Sequence, residues 1–409
     1  MKILIVTQYF WPEEFRINDC AAQLQKRGHE VTVLTGIPNY SKGEFFKGYH
    51  FWGPRRQEYQ GVNIIRVPLI ARGKKQGWRL ALNYLSFALL GSILGPLYLR
   101  GRFDIVFVYE PSPITVGIPA IVLKKMKRAP LIFWVQDLWP ESIAATGFVH
   151  SPIILALVRK LVRWIYGYCD KILVQSKGFI DPIAAQGVDS KRIEYFPNWA
   201  EDFYTPMVLD KNAVEHEKLP KGFLIMFAGN MGIAQDFPTI INAAERLKNL
   251  SEVQWVILGD GSMKEWIVKE IKARGLEKLV HLLGRYPMET MPRFFSLADV
   301  MLVTLKRDPI FALTIPGKVQ SYLACGKPII AGLDGEGARV IQEAGAGIVC
   351  AAEDDMALTR SIEAMVKMSV IERQEIGRRG MVYYKQYFDR VKLIEKLENW
   401  MRDLIKQNV

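Results

Sequence analysis

Thr314-Ile315-Pro316-Gly317-Lys318-Val319-Gln320-Ser321-Tyr322-Leu323-Ala324-Cys325-Gly326-Lys327-Pro328-Ile329-Ile330-Ala331 is the stretch whose reading decides the fold. Pro316 and Gly317 suit a helix start, and Val319, Tyr322 and Leu323 recur on one helical face. Gly326 and Pro328 end that helix before the apolar run Ile329, Ile330, Ala331. A helix passing straight into a short apolar strand is the unit of an α/β sheet. The free amides of its first turn, with Lys318 beside them, also suit an anion. An ordinary helix-to-strand connection explains the same residues, so the flanks must carry the argument.

Upstream, the pattern repeats. Residues 223–228 read as a strand ending in Gly229-Asn230-Met231-Gly232, and a helix runs over 236–250 with Asp236 at its start. Residues 254–258 form a strand ending in Gly259-Asp260-Gly261-Ser262; a strand from Val280 ends in Gly284-Arg285-Tyr286-Pro287, and 300–305 is another strand. Glycines at strand ends let backbone approach a ligand. Helices follow at 362–368, 371–388 and 391–406.

The N-terminal half has the same rhythm. Residues 2–10 are a strand, 18–27 a helix closed by Gly28, and 30–36 a strand, without the glycine fingerprint of dinucleotide binding. A loop over 38–60 leads to a strand at 63–68. Strands at 104–110 and 131–136 flank a helix at 114–128, and a helix at 153–166 precedes short strands at 172–175 and 194–197. The polar, proline-containing residues 198–221 read as the linker.

With 409 residues, two domains are expected. Cys20, Cys169, Cys325 and Cys350 are scattered, which argues against a disulfide framework or a zinc site and for a reducing cytosol. The run Ile3 to Val6 is too short for the core of a signal peptide. Net charge is +12, and residues 1–205 hold 26 Lys and Arg against 16 Asp and Glu, so +10 lies in the first half. Phospholipid, a pyrophosphate-bearing substrate or nucleic acid would each answer to it, as would a protein that is merely basic.

Residues 80–99, LALNYLSFALLGSILGPLYL, carry no charge and follow the basic stretch Arg72 to Arg79. A buried core helix, a helix lying in the plane of a membrane and a true span are all open by length. Asn83, Gly91, Gly95 and Pro96 interrupt the run, and Trp78, Arg79, Tyr98, Arg100 and Arg102 flank it, which favours the in-plane helix.

Gly28-His29-Glu30-Val31, Gly229 to Gln235, Leu258-Gly259-Asp260-Gly261 and Lys318 to Pro328 resemble family 4 glycosyltransferases of GT-B fold. That fold class is α/β, two Rossmann-like doubly wound domains facing a cleft with a C-terminal helix crossing back to the first. The implied division is 1–200, 201–388 and 389–409. Tyr9-Phe10-Trp11-Pro12-Glu13, Pro38-Asn39-Tyr40 and Gln136-Asp137-Leu138-Trp139-Pro140-Glu141-Ser142 resemble the bacterial O-antigen and capsule subgroup that includes N-acetyl-L-fucosamine transferases. The resemblance implies retaining transfer of an N-acetylated deoxyhexosamine from a UDP-sugar to a polyprenyl-diphosphate-linked saccharide, by a peripheral or monotopic protein on the cytoplasmic face of the inner membrane. Anionic lipid is then a partner, nucleic acid is not, and no metal or other cofactor is required. A nucleotide-sugar 2-epimerase of the same fold and a non-catalytic scaffold are the alternatives.

Laid on this sequence, the resemblance puts the nucleotide sugar against Gly229, Asn230, Gln235, Gly259, Gly261, Arg285, Tyr286, Thr314, Gly317, Lys318, Gln320 and Ser321. Many relatives have Arg and Lys where Asn230 and Gln235 stand, which leaves Lys318 as the main charge for the diphosphate. Their paired glutamates are replaced by Leu313 and Ser321, which leaves Gln320, Ser321, Asp308 and Thr314 as candidates for the ribose and donor-sugar contacts. Asp137 and Glu110 end neighbouring strands as candidate catalytic carboxylates, with an N-cap role for Asp137 as the plain alternative. Glu14, Arg16, Asn18, Asn39 and Tyr40 are the candidate acceptor contacts; the loop from Trp11 would be capped by Asn18.

Overall fold

The computed structural model describes residues 1–40, 43–73, 77–145, 151–210 and 212–408. Lys74 and Lys75 of the basic stretch, and His150, lie outside them. The chain divides into two compact units, Met1–Pro197 with Val391–Val409, and Asn198–Arg390.

The first unit is built on eight strands: β1 (Lys2–Val6), β2 (Glu30–Gly36), β3 (Arg56–Tyr59), β4 (Val62–Val67), β5 (Ile105–Glu110), β6 (Leu131–Val135), β7 (Lys171–Val174) and β8 (Ile193–Tyr195). Their order is β3-β4-β2-β1-β5-β6-β7-β8, parallel throughout except where β3 pairs with β4. β5 and β6 are buried along their whole length, as strands covered on both faces must be. β3 lies inside the stretch read from sequence as loop; its Arg-Gln-Glu-Tyr is polar and only a sheet edge accepts it. The helix after β1 starts at Arg16 with Phe15 at its cap. Asn18 therefore caps nothing; it is buried and donates to the Glu13 carbonyl at 2.6 Å.

Residues 80–99 lie in a helix, Gly77–Tyr98. Asn83, Phe87, Ala88, Gly91 and Gly95 face inward, with Pro119 next to Gly91 and Leu34 next to Gly95. Trp78, Leu82, Leu85, Leu89, Ile93 and Leu97 are exposed along the opposite face. The helix is long and apolar enough to cross a membrane; one stripe packs on its own unit and the opposite stripe is exposed. The last helix, Arg390–Gln407, joins this unit by burying Leu393, Ile394, Leu397 and Met401. Its buried Glu398 accepts from Arg27 Nε at 3.1 Å and lies 2.6 Å from His29 Nε2.

The second unit has six parallel strands: β9 (Phe223–Ala228), β10 (Val253–Leu258), β11 (Val280–Gly284), β12 (Val300–Thr304), β13 (Ile329–Gly332) and β14 (Gly347–Cys350), in the order β11-β10-β9-β12-β13-β14. The unit starts at Asn198 rather than Glu201, because Ala200 and Tyr204 are buried in its core. The presumed linker is thus partly core, and it holds a helix, Val214–Lys218, whose buried Glu215 pairs with Arg293 at 2.7 Å. The decisive helix is Gly317–Ala324, with Pro316 as cap and Gly326 left-handed just past its end. Tyr322 fastens it to β9 by accepting from the Ala228 amide at 3.1 Å.

In each sheet the strand order turns about a central pair, β1 with β5 and β9 with β12. Open parallel sheets bind ligands just past the carboxyl ends of such a pair, where neighbouring loops leave in opposite directions.

Candidate active site

In the second unit the β9 loop, Gly229 onward, and the loop before the helix Gly317–Ala324 stand at that position. The Lys318 ammonium lies 3.5 Å from the centre of the Phe227 ring and donates to Gln235 Oε1 at 2.5 Å. Burial holds its pKa well below that of an ordinary lysine. A neutral amide and a ring face compensate a desolvated cation only in part, so an incoming anion would be strongly favoured.

Gly229 makes room for this lysine. A Cβ there would come within 2.8 Å of Lys318 Cε, and the residue has φ +132°. Gly259 serves the neighbouring loop in the same way, since its Cβ would meet the Gly229 carbonyl oxygen at 1.8 Å, and Gly261 is crowded by the Met231 carbonyl. The strand-end glycines therefore let loops approach one another. At Gly317 a Cβ would meet only Gln320 Oε1, at 3.9 Å.

The other expected donor residues separate into engaged and available. The Thr314 hydroxyl donates to the Ile310 and Phe311 carbonyls, and Asp308 Oδ1 caps the Ile310 amide at 2.8 Å, which commits the Thr314 proton and one Asp308 oxygen. Ser321 leans 3.3 Å back to the Gly317 carbonyl, and the buried Gln320 has no partner for Nε2 among the described residues. Asn230 and Arg285 are exposed, while Tyr286 lies under Lys218 at 4.9 Å and against Phe294.

In the first unit, Glu110 ends β5 fully buried, and among the described residues neither carboxylate oxygen has a well-formed hydrogen bond. Burial first, and the neighbouring Asp137 second, raise its pKa well above the usual carboxylate range. Burial lifts the largely buried Asp137, two residues past β6, to about 7. The pair thus favours a proton on Glu110 with Asp137 ionising near neutrality, an arrangement suited to orienting a hydroxyl or accepting its proton. The helix after Asp137 begins only at Glu141, too far for Asp137 to be its N-cap.

The acceptor candidates come out differently from expectation. Glu14 is exposed; the carboxylate that matters structurally is its neighbour Glu13, buried and accepting from the Asn39 and Tyr40 amides at 2.6 Å each. Asn39 is consumed in holding the cluster, donating to the Ile37 carbonyl and accepting from the Arg72 amide and Asn83 Nδ2. Tyr40 is partly exposed beneath the Arg72 guanidinium at 4.6 Å. Arg16 is close enough for its charge to act on the Tyr109 hydroxyl, which also feels Asp137. Sequence reasoning missed Asn83 and Tyr84. Gln8 donates to Asn83 Oδ1 at 2.7 Å, Asn83 donates to the Ile70 carbonyl at 2.6 Å, and Tyr84 sits edge-on to Trp139 at 6.4 Å, within the field of Asp137. A polar Asn in an uncharged apolar run was the available signal. Among the described residues no group of three or more His, Cys, Asp or Glu stands together as a metal set.

Comparison with known proteins bears on the fold and the enzyme class. Residues 14–199 match the family "Glycosyl transferase 4-like domain" and residues 210–381 match "Glycosyl transferases group 1". The chain is 25% identical over 338 residues, 80% of its length and 82% of the relative's, to WcaI of Escherichia coli, named as a colanic acid biosynthesis glycosyl transferase. It is 26% identical over 286 residues, 68% of the chain and 69% of the relative, to WbjE of Pseudomonas aeruginosa, named as a glycosyltransferase. Among solved structures, Anabaena HepE in complex with UDP matches with a TM-score of 0.70 at 14% identity over 98% of this chain and 100% of that one. WaaG, a glycosyltransferase involved in lipopolysaccharide biosynthesis, matches with a TM-score of 0.65 at 15% identity over 98% and 99%. With a glycosyl transferase 4-like domain on its first unit and a group 1 domain on its second, the chain is a glycosyltransferase of GT-B fold.

Proposed function

We propose that this glycosyltransferase moves a sugar from a UDP-sugar to a polyprenyl-diphosphate-linked saccharide during assembly of a bacterial surface polysaccharide, at the cytoplasmic face of the inner membrane. The helix Gly77–Tyr98 carries the reading. One face sets Asn83 against Gln8 and Asn39 and brings Tyr84 within the field of Asp137, and the other exposes a continuous apolar stripe. A soluble acceptor gives no reason for that stripe; a lipid-linked one does.

On the donor side Lys318 and the first turn of its helix meet the diphosphate, and the charge growing on departing UDP is matched by an ammonium already held in place. On the acceptor side Asp137 orients the attacking hydroxyl and takes its proton as the new glycosidic bond forms, while Glu110 stays protonated behind it. Arg72 and Arg16 suit the acceptor's phosphates. The names of relatives from colanic acid and lipopolysaccharide synthesis support this class of product. Motifs shared with the O-antigen subgroup support N-acetyl-L-fucosamine as the transferred sugar, with retention of configuration.

The test incubates purified protein with UDP-N-acetyl-L-fucosamine and a panel of other UDP-sugars, with and without a polyprenyl-diphosphate-linked saccharide. Transfer dependent on the lipid-linked acceptor is expected. Isomerisation of the UDP-sugar without acceptor would favour the epimerase, and UDP binding without turnover would favour a scaffold.

A further inference from the structure

A second basic feature lies at the opposite end of the first sheet from the carboxylates. A cavity of about 410 Å³ opens by the amino ends of β1 and β2, and its wall includes Lys2, Glu30, Arg56, Tyr98, Arg100 and Arg102. Lys2 is committed to Glu30 at 3.1 Å. Arg56, Arg100 and Arg102 are exposed, and the side chain of none makes an ion pair or hydrogen bond with another described residue. Three unpaired guanidiniums around one concavity repel each other, an arrangement relieved by an anion.

The helix end beside the cavity does not supply the missing negative charge. Lys127 Nζ already takes the Leu99 and Gly101 carbonyls at 2.6 and 3.0 Å. The position of the cavity indicates which anion. Tyr98, with Arg55 over its ring at 4.9 Å, lines it, and the preceding residue, Leu97, is the last of the outward apolar stripe. A helix lying in a bilayer surface through that stripe would carry this cavity to headgroup depth, where an aromatic ring and arginines are at home.

We infer that the Arg56, Arg100 and Arg102 cavity is a binding site for the phosphate of an anionic membrane lipid, separate from both substrate sites. It rests on the proposed membrane association of the helix Gly77–Tyr98. Because the guanidiniums offer bidentate contacts, the site discriminates phosphate-exposing anionic lipids from zwitterionic ones and fixes how the helix sits.

The test is sedimentation with vesicles of phosphatidylglycerol and phosphatidylcholine mixed one to three, and with phosphatidylcholine alone. The compared proteins are the wild type, the triple variant Arg56→Gln, Arg100→Gln, Arg102→Gln, and a charge-matched control, Lys26→Gln, Lys191→Gln, Arg360→Gln. At about fivefold per basic residue, the cavity variant should lose about a hundred-fold or more in affinity for the anionic vesicles. The control should lose less than fivefold, with the melting temperature of both unchanged. Equal losses in the two variants, with the wild type bound, overturn the cavity and leave the membrane reading standing. A wild type that ignores anionic vesicles overturns both. Tight calorimetric binding of sn-glycerol 3-phosphate, with vesicle binding untouched by the triple substitution, would assign the cavity to a free phosphate and overturn the lipid.

Discussion

Lys318→Met tests the donor site with two readouts of opposite sign. Methionine keeps much of the length and apolar contact of the lysine beside Phe227 but removes the ammonium and its bond to Gln235 Oε1. A charge-assisted contact of this kind contributes about 1.5–3 kcal/mol, so the dissociation constant for UDP should rise roughly 10- to 100-fold by titration calorimetry. Stability should move the other way or stay level. The free protein holds a desolvated cation, shown by its lowered pKa, and removing it relieves that cost. The pH dependence follows the same logic. Binding of the diphosphate raises the lysine pKa towards normal and takes up a proton, so wild-type UDP affinity falls as pH rises past the free-state value of Lys318. The Met variant lacks that fall. UDP affinity within twofold of wild type, or a melting temperature lowered by several degrees, would refute the reasoning.

Glu13 is raised from 4.5 to about 7 by burial, so the folded state keeps its proton to higher pH than the unfolded chain. Its contribution to stability is therefore lost as pH climbs from about 4.5 through 7, by a limit of about 3 kcal/mol, and Glu13→Gln should flatten the wild-type decline in melting temperature over that range. Asp137 ionises near 7, so the transfer rate should rise through that pH and level off. Asp137→Asn should cost about 100-fold in kcat and abolish the rise; a variant within fivefold of wild type would remove Asp137 from the chemistry. Leu85→Ser, Leu89→Ser, Ile93→Ser, all on the exposed stripe, should release the protein from vesicles at high salt without lowering its melting temperature, whereas retention would detach the stripe from membrane binding.

The order of strands and helices was legible because parallel sheets leave local marks. β5, β6 and β9 are short unbroken apolar runs, and the helix Gly317–Ala324 is bracketed by Pro316 and Gly326. Glu110, Asp137 and Lys318 were also found this way, since residues just past a strand or at a helix start fall at the carboxyl edge of such a sheet wherever the chain later goes. The edge strand β3 was not, because half its ladder is solvent and its residues are polar.

Partnership between distant residues had no local mark. Nothing along the chain separates Glu14 from Glu13, yet folding exposes one and gives the other two backbone amides from residues 39 and 40. Nothing near Gly229 in the chain says that Lys318, 89 positions on, packs where its Cβ would stand. The apolar run 80–99 declared its hydrophobicity but not which stripe would meet Pro119 and Leu34 and which would face outward. Sequence alone determined the alternation of elements, because helix and strand periodicities, caps and breakers act over a few residues. Only the tertiary structure decided which polar group each buried side chain meets, because burial and pairing depend on segments brought together from far apart in the chain.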